Sequence, residues 1–250
     1  MSGNSAVGPG ADLRGADLSR SDLSDADLTG ADLRRAVLRS AVLRHTRFTR
    51  AQLGAADFTG ADLTGATFVD PAHSREYMFH VYLSGRDMAG ANPTGADLRD
   101  ADLTDATLVG ADLTGLDLSR TTVAGADLSR ADLSGCLLSS PERVGAYRGL
   151  RLSGARLRLA SLFCADLSGA DLSDALLTDT ELYLARLRGG DLTRAKCVGT
   201  LLLEADLREA TLTDTEFVRA ELSGARLDQT KGKARTWEGS RRPDGRLIQE

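Results

Sequence analysis

The chain has 250 residues, a net charge of −5 and 42% hydrophobic residues, yet only 4% of its residues are aromatic. A conventional globular core of this size uses more aromatic side chains, so the composition favours a narrow core of small and aliphatic residues. No segment approaches the roughly eighteen apolar residues of a membrane span. The N-terminus has no basic segment followed by an apolar run, so we expect no secretory signal and a cytoplasmic protein.

A five-residue word, Ala-Asp-Leu-x-x, begins at Ala11 and repeats along the chain. Leu or Phe occupies every fifth position over 13–68, and again over 152–227 with the exception of Cys197. Every fifth residue of an α-helix advances by about 140°, so these leucines would circle a helix. On a flat strand, residues five apart point to opposite faces. A chain that turns a corner every five residues does form an apolar side, with the central residue (position i) and the Ala at i−2 pointing inward.

Four such sides close a turn of about twenty residues, and stacked turns bury one column of leucine. Repeated A(D/N)Lxx resembles the pentapeptide-repeat family, and the resemblance covers roughly residues 11–138 and 150–229. It implies an all-β fold, the right-handed quadrilateral β-helix.

Taken in order, residues 1–10 are small and polar, which predicts a disordered lead-in. A first solenoid block is predicted over 11–138. Within it, 71–80 loses the word, although Leu83, Met88 and Leu98 keep its phase. This degenerate stretch is either a bulged part of the coil or a loop whose length preserves the phase.

The frame changes after Leu138, because Leu152 follows it by fourteen residues, one short of three words. Residues 139–149 therefore read as a projecting loop, and 150–229 as a second block. Residues 230–250 form a cap or tail that contains Trp237. An open β-helix end exposes leucines and unpaired strand edges, so this tail either folds over the last turn or supports a homodimer, and the two can coexist.

No pattern in the sequence indicates catalysis. It contains no GxSxG motif and no Gly-rich phosphate loop before a helix. Of its three histidines, His45, His73 and His80, the last two could approach each other, but two histidines without a third ligand are a weak metal signal. Cys136 and Cys197 fall at inward positions and read as core residues. We therefore expect a protein that is not an enzyme and has no cofactor and no metal.

The Asp at i−1 has two interpretations. It can accept backbone N–H bonds at each corner, as Asp does in turns. It can also form an acidic stripe, because equivalent Asp residues stack one turn apart, about 4.8 Å. The predicted stripe consists of three pairs: Asp12 and Asp32, Asp97 and Asp117, Asp112 and Asp132.

A function follows from the family resemblance. The chain looks like the Qnr and MfpA-type members, which resemble duplex DNA in shape and charge, bind type II topoisomerases and protect them from poisons. The expected partner is then DNA gyrase or a relative, and the expected outcome is antibiotic resistance. Residues 1–229, however, carry a net charge of only −8. Ten turns of about 4.8 Å make a rod of about 48 Å, and duplex DNA of that length carries about 28 negative charges. The alternative is a protein–protein interaction scaffold, favoured if acidic and basic residues are evenly mixed.

Three further surface sets are predicted. The loop contact consists of Pro141, Glu142, Arg143, Tyr147 and Arg148. The basic collar, crowded into one turn, consists of Arg34, Arg35, Arg39, Arg44, Arg47 and Arg50. It either pairs with nearby Asp residues or meets an acidic partner, and one collar is too short to track nucleic acid directly.

The third set is an interface ladder. Phe163, Tyr183 and Leu203 lie twenty residues apart at i+1, so they should stack on one outer side, flanked by Leu184 and Leu201. Exposed apolar surface of this kind usually marks an interface. We expect it to pack against a second subunit or the tail, including Trp237.

Overall fold

The computed structural model describes residues 7–53, 56–68, 98, 103–139 and 147–246. In these parts the chain winds into a right-handed coil with four sides per turn, and each side is one five-residue word. The i−1 residues of successive turns pair in parallel, so Asp12 lies opposite Asp32 and Asp32 opposite Gln52. The predicted quadrilateral β-helix is confirmed.

Most pairing consists of single bridges, because each side is short before the next corner. Two longer strands, β1 (Lys196–Val198) and β2 (Glu216–Val218), pair in parallel with Cys197 opposite Phe217. The described residues form no α-helix, and so none that could cross a membrane.

Most of the described corners are type II turns. The Ala16 N–H donates to the Leu13 carbonyl over 3.1 Å, and Gly15 has a φ of 64°, the positive value this turn needs at its third residue. Arg20 and Leu184 take the same position with φ of 58° and 57°. This conformation costs a non-glycine residue roughly 1–2 kcal/mol, so the stacked backbone must hold these corners in place.

The core is a column of central residues and of the small residues at i−2. Leu33 and Ala31 are fully buried, and the ring of Phe48 stacks on Phe68 one turn later with centroids 5.1 Å apart. Where Thr replaces Ala at i−2, its hydroxyl is satisfied: Thr200 Oγ1 donates to the Leu177 carbonyl over 2.5 Å.

One turn is irregular. Bridged residues are twenty apart elsewhere, but Asp127 pairs with Arg151 and Leu137 with Ser161, twenty-four apart. The four extra residues bring Tyr147 into a central position, where its side chain is fully buried. Because Tyr147 belongs to the core, the prediction that it contacts a partner is wrong, and the coil resumes at 147 rather than at 150.

The coil also continues past 229, where the second block was predicted to end. Thr211 pairs with Lys231, and Glu221 pairs with Arg241. Trp237 is half-buried and stacks on Phe217, with ring centroids 4.3 Å apart. The tail therefore adds another turn, and Trp237 covers the last aromatic residue of the core column. The degenerate stretch at 71–80 lies outside the described residues.

Candidate protein-interaction surface

The Asp at i−1 completes the hydrogen bonding of its own word. In the word that ends at Arg130, the N–H groups of i−2, i−1, i and i+2 all donate to backbone carbonyls. The remaining N–H, that of Ser129, donates to Asp127 Oδ1 over 3.1 Å. The Ser19 N–H donates to Asp17 Oδ1 in the same way over 3.0 Å, and hydrogen bonding from Ser19 lowers the pKa of that carboxyl. These contacts support the structural interpretation of the recurring Asp.

The acidic stripe is interrupted. Asp12 and Asp32 stack as predicted, but Gln52 follows them in the column. The hydrogen bond from Arg14 also holds the pKa of Asp12 at about 2, so its charge is paired. Mimicry of DNA would need an unbroken acidic side, and this column does not provide one.

The other two predicted pairs show the same mixing. Asp112 and Asp132 stack, and Arg156 follows them. Asp117 pairs with Leu137, while Asp97 lies outside the described residues. By the criterion set from the sequence, these mixed columns favour the scaffold over DNA mimicry.

The basic collar encircles the coil instead of forming one patch. Its members lie on all four sides, and four of them are ion-paired to Asp residues of the same or a neighbouring turn. The pairs are Arg34–Asp32 at 2.5 Å, Arg39–Asp57 at 2.5 Å, Arg44–Asp62 at 2.6 Å and Arg47–Asp27 at 3.5 Å. Arg35 and Arg50 occupy i+2 corners with positive φ. The collar is thus largely a network of local ion pairs.

Little of the predicted loop contact can be placed. Pro141, Glu142 and Arg143 lie outside the described residues, and Tyr147 is buried. The Arg148 side chain is exposed, but its Nε lies 2.8 Å from Asp166 Oδ2. Arg148 therefore fastens one turn to the next.

The ladder forms a real surface feature on one side of the coil. This side, called the ladder side below, has as its central residues Leu138, Leu162, Leu182, Leu202 and Leu222. The rings of Phe163 and Tyr183 stack with centroids 5.6 Å apart. Together with Glu181, Leu201 and Leu203 they line an open surface cavity of about 370 Å³.

The described part of the tail does not cover the ladder. Tyr183, Leu184 and Leu201 are each 37% exposed. The described part of the tail continues the coil along its axis, and Trp237 takes an inward position on a different side, so the prediction that it joins the ladder is wrong.

Two exposed leucines near the ladder escaped the sequence prediction. Leu137 pairs with Ser161 on the ladder side, and Leu159 stands at the adjoining corner; they are 48% and 57% exposed. Their signal was a leucine at i−1 or i+2, where other words carry polar residues or Gly. The irregular turn hid the relation, since Leu137 and Ser161 are twenty-four residues apart.

Comparison with known proteins identifies the family. A model described as pentapeptide repeats matches in eight copies, over residues 10–39, 31–70, 77–115, 101–140, 148–179 and 190–229. The chain belongs to the pentapeptide repeat family. A search of curated proteins found no match.

Several solved pentapeptide repeat proteins are similar to it. HetL, involved in heterocyst differentiation regulation in the cyanobacterium Nostoc sp. strain PCC 7120, is 30% identical, with 93% of each chain covered and a TM-score of 0.45. A protein of the Arabidopsis thaliana thylakoid lumen is 31% identical over 45% of this chain and 68% of its own, with a TM-score of 0.29. The plasmid-mediated fluoroquinolone resistance protein QnrB1 is 14% identical over 87% and 91%, with a TM-score of 0.34.

Proposed function

We propose that this pentapeptide repeat protein is a non-enzymatic, cytoplasmic scaffold that binds another protein through the ladder side. The observation that carries the proposal is the apolar surface cluster in which Tyr183 and Leu201 are exposed and Phe163 and Leu203 are half-buried. Contiguous apolar surface on a soluble protein is typical of an interaction site. The ion-paired columns on the other sides offer a partner much less to bind.

The rigid backbone strengthens this proposal. Phe163, Tyr183 and Leu203 project from three consecutive turns that are joined by main-chain hydrogen bonds, such as that from Cys164 N–H to the Tyr183 carbonyl at 3.0 Å. Their spacing is therefore fixed before binding. A partner loses little free energy in ordering this side, because the surface is already preorganised.

Site-specific photo-crosslinking tests the proposal. A photoreactive phenylalanine analogue at position 183 should yield a discrete adduct in cells that naturally express the chain, whereas one at Arg158, on another side, should not. The double variant Tyr183→Ser/Leu201→Ser should lose the partner. The control Leu176→Ser removes an equally exposed leucine from a different side and should retain it. Adducts of equal yield at both positions, or binding that survives the double variant, would contradict the proposal.

Protection of a type II topoisomerase is the second candidate function. The stacked carboxylates of Asp171 and Asp191 favour it, since they place two negative charges about 4.8 Å apart on one side. Arg151 precedes this pair and Thr211 follows it. The acidic surface is therefore local, and recognition of gyrase would depend on short segments of it.

A gyrase supercoiling assay with and without a poison tests this candidate. Micromolar protein should inhibit the enzyme or protect it from the poison, and Asp171→Asn/Asp191→Asn should weaken the effect. Deletion of 141–144 provides a loop variant, because removing four residues returns the irregular turn to the usual twenty while keeping Tyr147. If the intact protein neither inhibits nor protects, the second candidate fails.

A further inference from the structure

The ladder side carries a distinctive charge pattern around its apolar cluster. Its three central rungs, each taken with the corner residue that leads into it, are residues 159–164, 179–184 and 199–204. They contain three acidic residues, Asp179, Glu181 and Glu204, and no Lys, Arg or His. All three acidic residues are exposed, and Glu181 lines the apolar cavity itself.

These carboxylates differ from others nearby in having no cationic partner among the described residues. On neighbouring rungs, Glu209 pairs with Arg188 at 2.6 Å, and Glu221 pairs with Arg241 at 3.3 Å. No ion pair joins Asp179, Glu181 or Glu204 to any residue that the structure describes. The apolar cluster is thus bordered by negative charge that the chain itself leaves uncompensated.

The same pattern argues against a second copy of the chain as the occupant. Two ladder sides brought face to face would juxtapose three carboxylates from each copy with no base on these rungs. Like charges brought together at an interface are costly, whereas complementary charges guide association. Anionic lipid and nucleic acid are disfavoured for the same reason.

Resting on the proposed interaction function, we infer that the ladder side recognises a cationic, apolar protein segment. A Leu or Phe of the partner enters between Tyr183 and Leu201, and flanking Lys or Arg side chains pair with Glu181, Asp179 and Glu204. Asp179 stands at the corner that leads into the rung, and Glu181 follows two residues later, so two basic side chains of one segment can reach both carboxylates. A guanidinium can also stack on the Tyr183 ring.

Peptide titration tests the chemistry. The probe is a fluorescent peptide that alternates lysine with leucine and phenylalanine. Matched peptides replace the lysines with glutamate, or the apolar residues with serine. The full-length chain should bind the first peptide about tenfold more tightly than either control, and added salt should weaken binding.

Variants assign the binding to this surface. The triple variant Asp179→Asn/Glu181→Gln/Glu204→Gln should lose about tenfold in affinity. None of these side chains makes an ion pair with a residue that the structure describes, so the fold should persist. The control Asp171→Asn/Asp191→Asn/Asp214→Asn changes the net charge equally on another side and should bind as the parent does. Thermal melts by circular dichroism verify that both variants are folded.

The outcomes separate this inference from the function on which it rests. If the crosslinked partner still requires Tyr183 and Leu201 but is indifferent to the acidic triple variant, the scaffold stands and the cationic partner is wrong. Equal binding of the lysine and glutamate peptides overturns the inference, and so does a dimer that the double variant Tyr183→Ser/Leu201→Ser abolishes. The inference is supported if the acidic triple variant loses the preference for the lysine peptide over the glutamate peptide while the control variant keeps it.

Discussion

Arg148 Nε donates a hydrogen bond to Asp166 Oδ2 over 2.8 Å, and the Asp166 side chain is only 2% exposed. The other carboxylate oxygen accepts from the hydroxyl and N–H of Ser168. Arg148 follows Tyr147 directly, so this pair secures the end of the irregular turn to the next rung. A carboxylate this buried depends on its cation more than a surface one does.

Arg148→Ala should therefore lower the free energy of unfolding by about 1–2 kcal/mol, since it leaves a buried carboxylate without its cation. Urea denaturation measures this change. Arg188→Ala is the matched control, because Arg188 occupies the same position two turns later and pairs with the exposed Glu209. The control should cost less than about 1 kcal/mol. Equal losses in the two variants would show that the Arg148–Asp166 pair has no special role.

Tyr147 should behave as a core residue. Tyr147→Ala should cost about 3–5 kcal/mol, because it leaves a cavity in the leucine column. Tyr147→Phe should cost less, about 1 kcal/mol, since it keeps the ring in the column and removes the hydroxyl, which donates to the Leu118 carbonyl over 3.4 Å. Chemical denaturation distinguishes the two. A Tyr147→Ala variant as stable as the Phe variant would contradict the burial of this ring.

Stability should fall in acid. The pKa values of Asp17, Asp22 and Asp27 are lowered by hydrogen bonds from the Ser or Thr two residues later, and that of Asp12 is about 2. A carboxyl whose pKa is lower in the folded state than its unfolded value of about 3.9 stabilises the fold above that pH. This stabilisation is lost as the pH falls toward the folded pKa. The melting temperature should hold between about pH 7 and 5 and drop between about pH 4 and 2.

Asn in place of Asp17, Asp22 and Asp27 provides the control for the acid effect. Asn retains an oxygen that can accept the backbone N–H but carries no charge to titrate. The triple Asp→Asn variant should therefore show a shallower fall in melting temperature over the same pH range. A profile as steep as that of the parent would rule out these three carboxyls as its source.

Two glycine corners differ in what surrounds them. Gly15 and Gly65 have φ of 64° and 66°, but a Cβ at Gly65 would lie 2.4 Å from His45 Nδ1, whereas one at Gly15 meets nothing within 4 Å. Gly15→Ala should cost about 1 kcal/mol of strain alone, and Gly65→Ala should cost more. Adding His45→Ala should bring the second cost back to the first. If it does not, the contact with His45 is not the cause.

The repeat predicted the fold because a core residue at i and a small one at i−2 fully determine the winding. The stacking of Phe163 on Tyr183 followed from the same arithmetic. The burial of Tyr147 could not be predicted, since an aromatic residue between two nearby glycines, in a segment that begins with Pro141, resembles part of a loop. Only the pairing of rungs reveals that it lies in the core. The position of Trp237 inside a further turn of the coil could not be predicted for a related reason. Backbone N–H and C=O groups continue to pair beyond residue 229, where the five-residue sequence repeat has already ended.

The surface was harder to predict than the core. Arg39 pairs with Asp57, a residue of the next turn that is eighteen positions later in the sequence. A count of charges along the chain does not contain that relation. The mixed columns that argue against DNA mimicry depend on which rungs are hydrogen-bonded to each other.

The four extra residues of the irregular turn also change how such sequences must be aligned. With a fixed step of twenty, Phe163 would be matched to Arg143, whereas its neighbour in the previous rung is Ser139, twenty-four residues earlier. An insertion at a corner thus leaves the winding intact while shifting the numbering of every later column. Homologues that differ in such insertions can keep the same binding side even where repeat-by-repeat alignment places its residues on different ones.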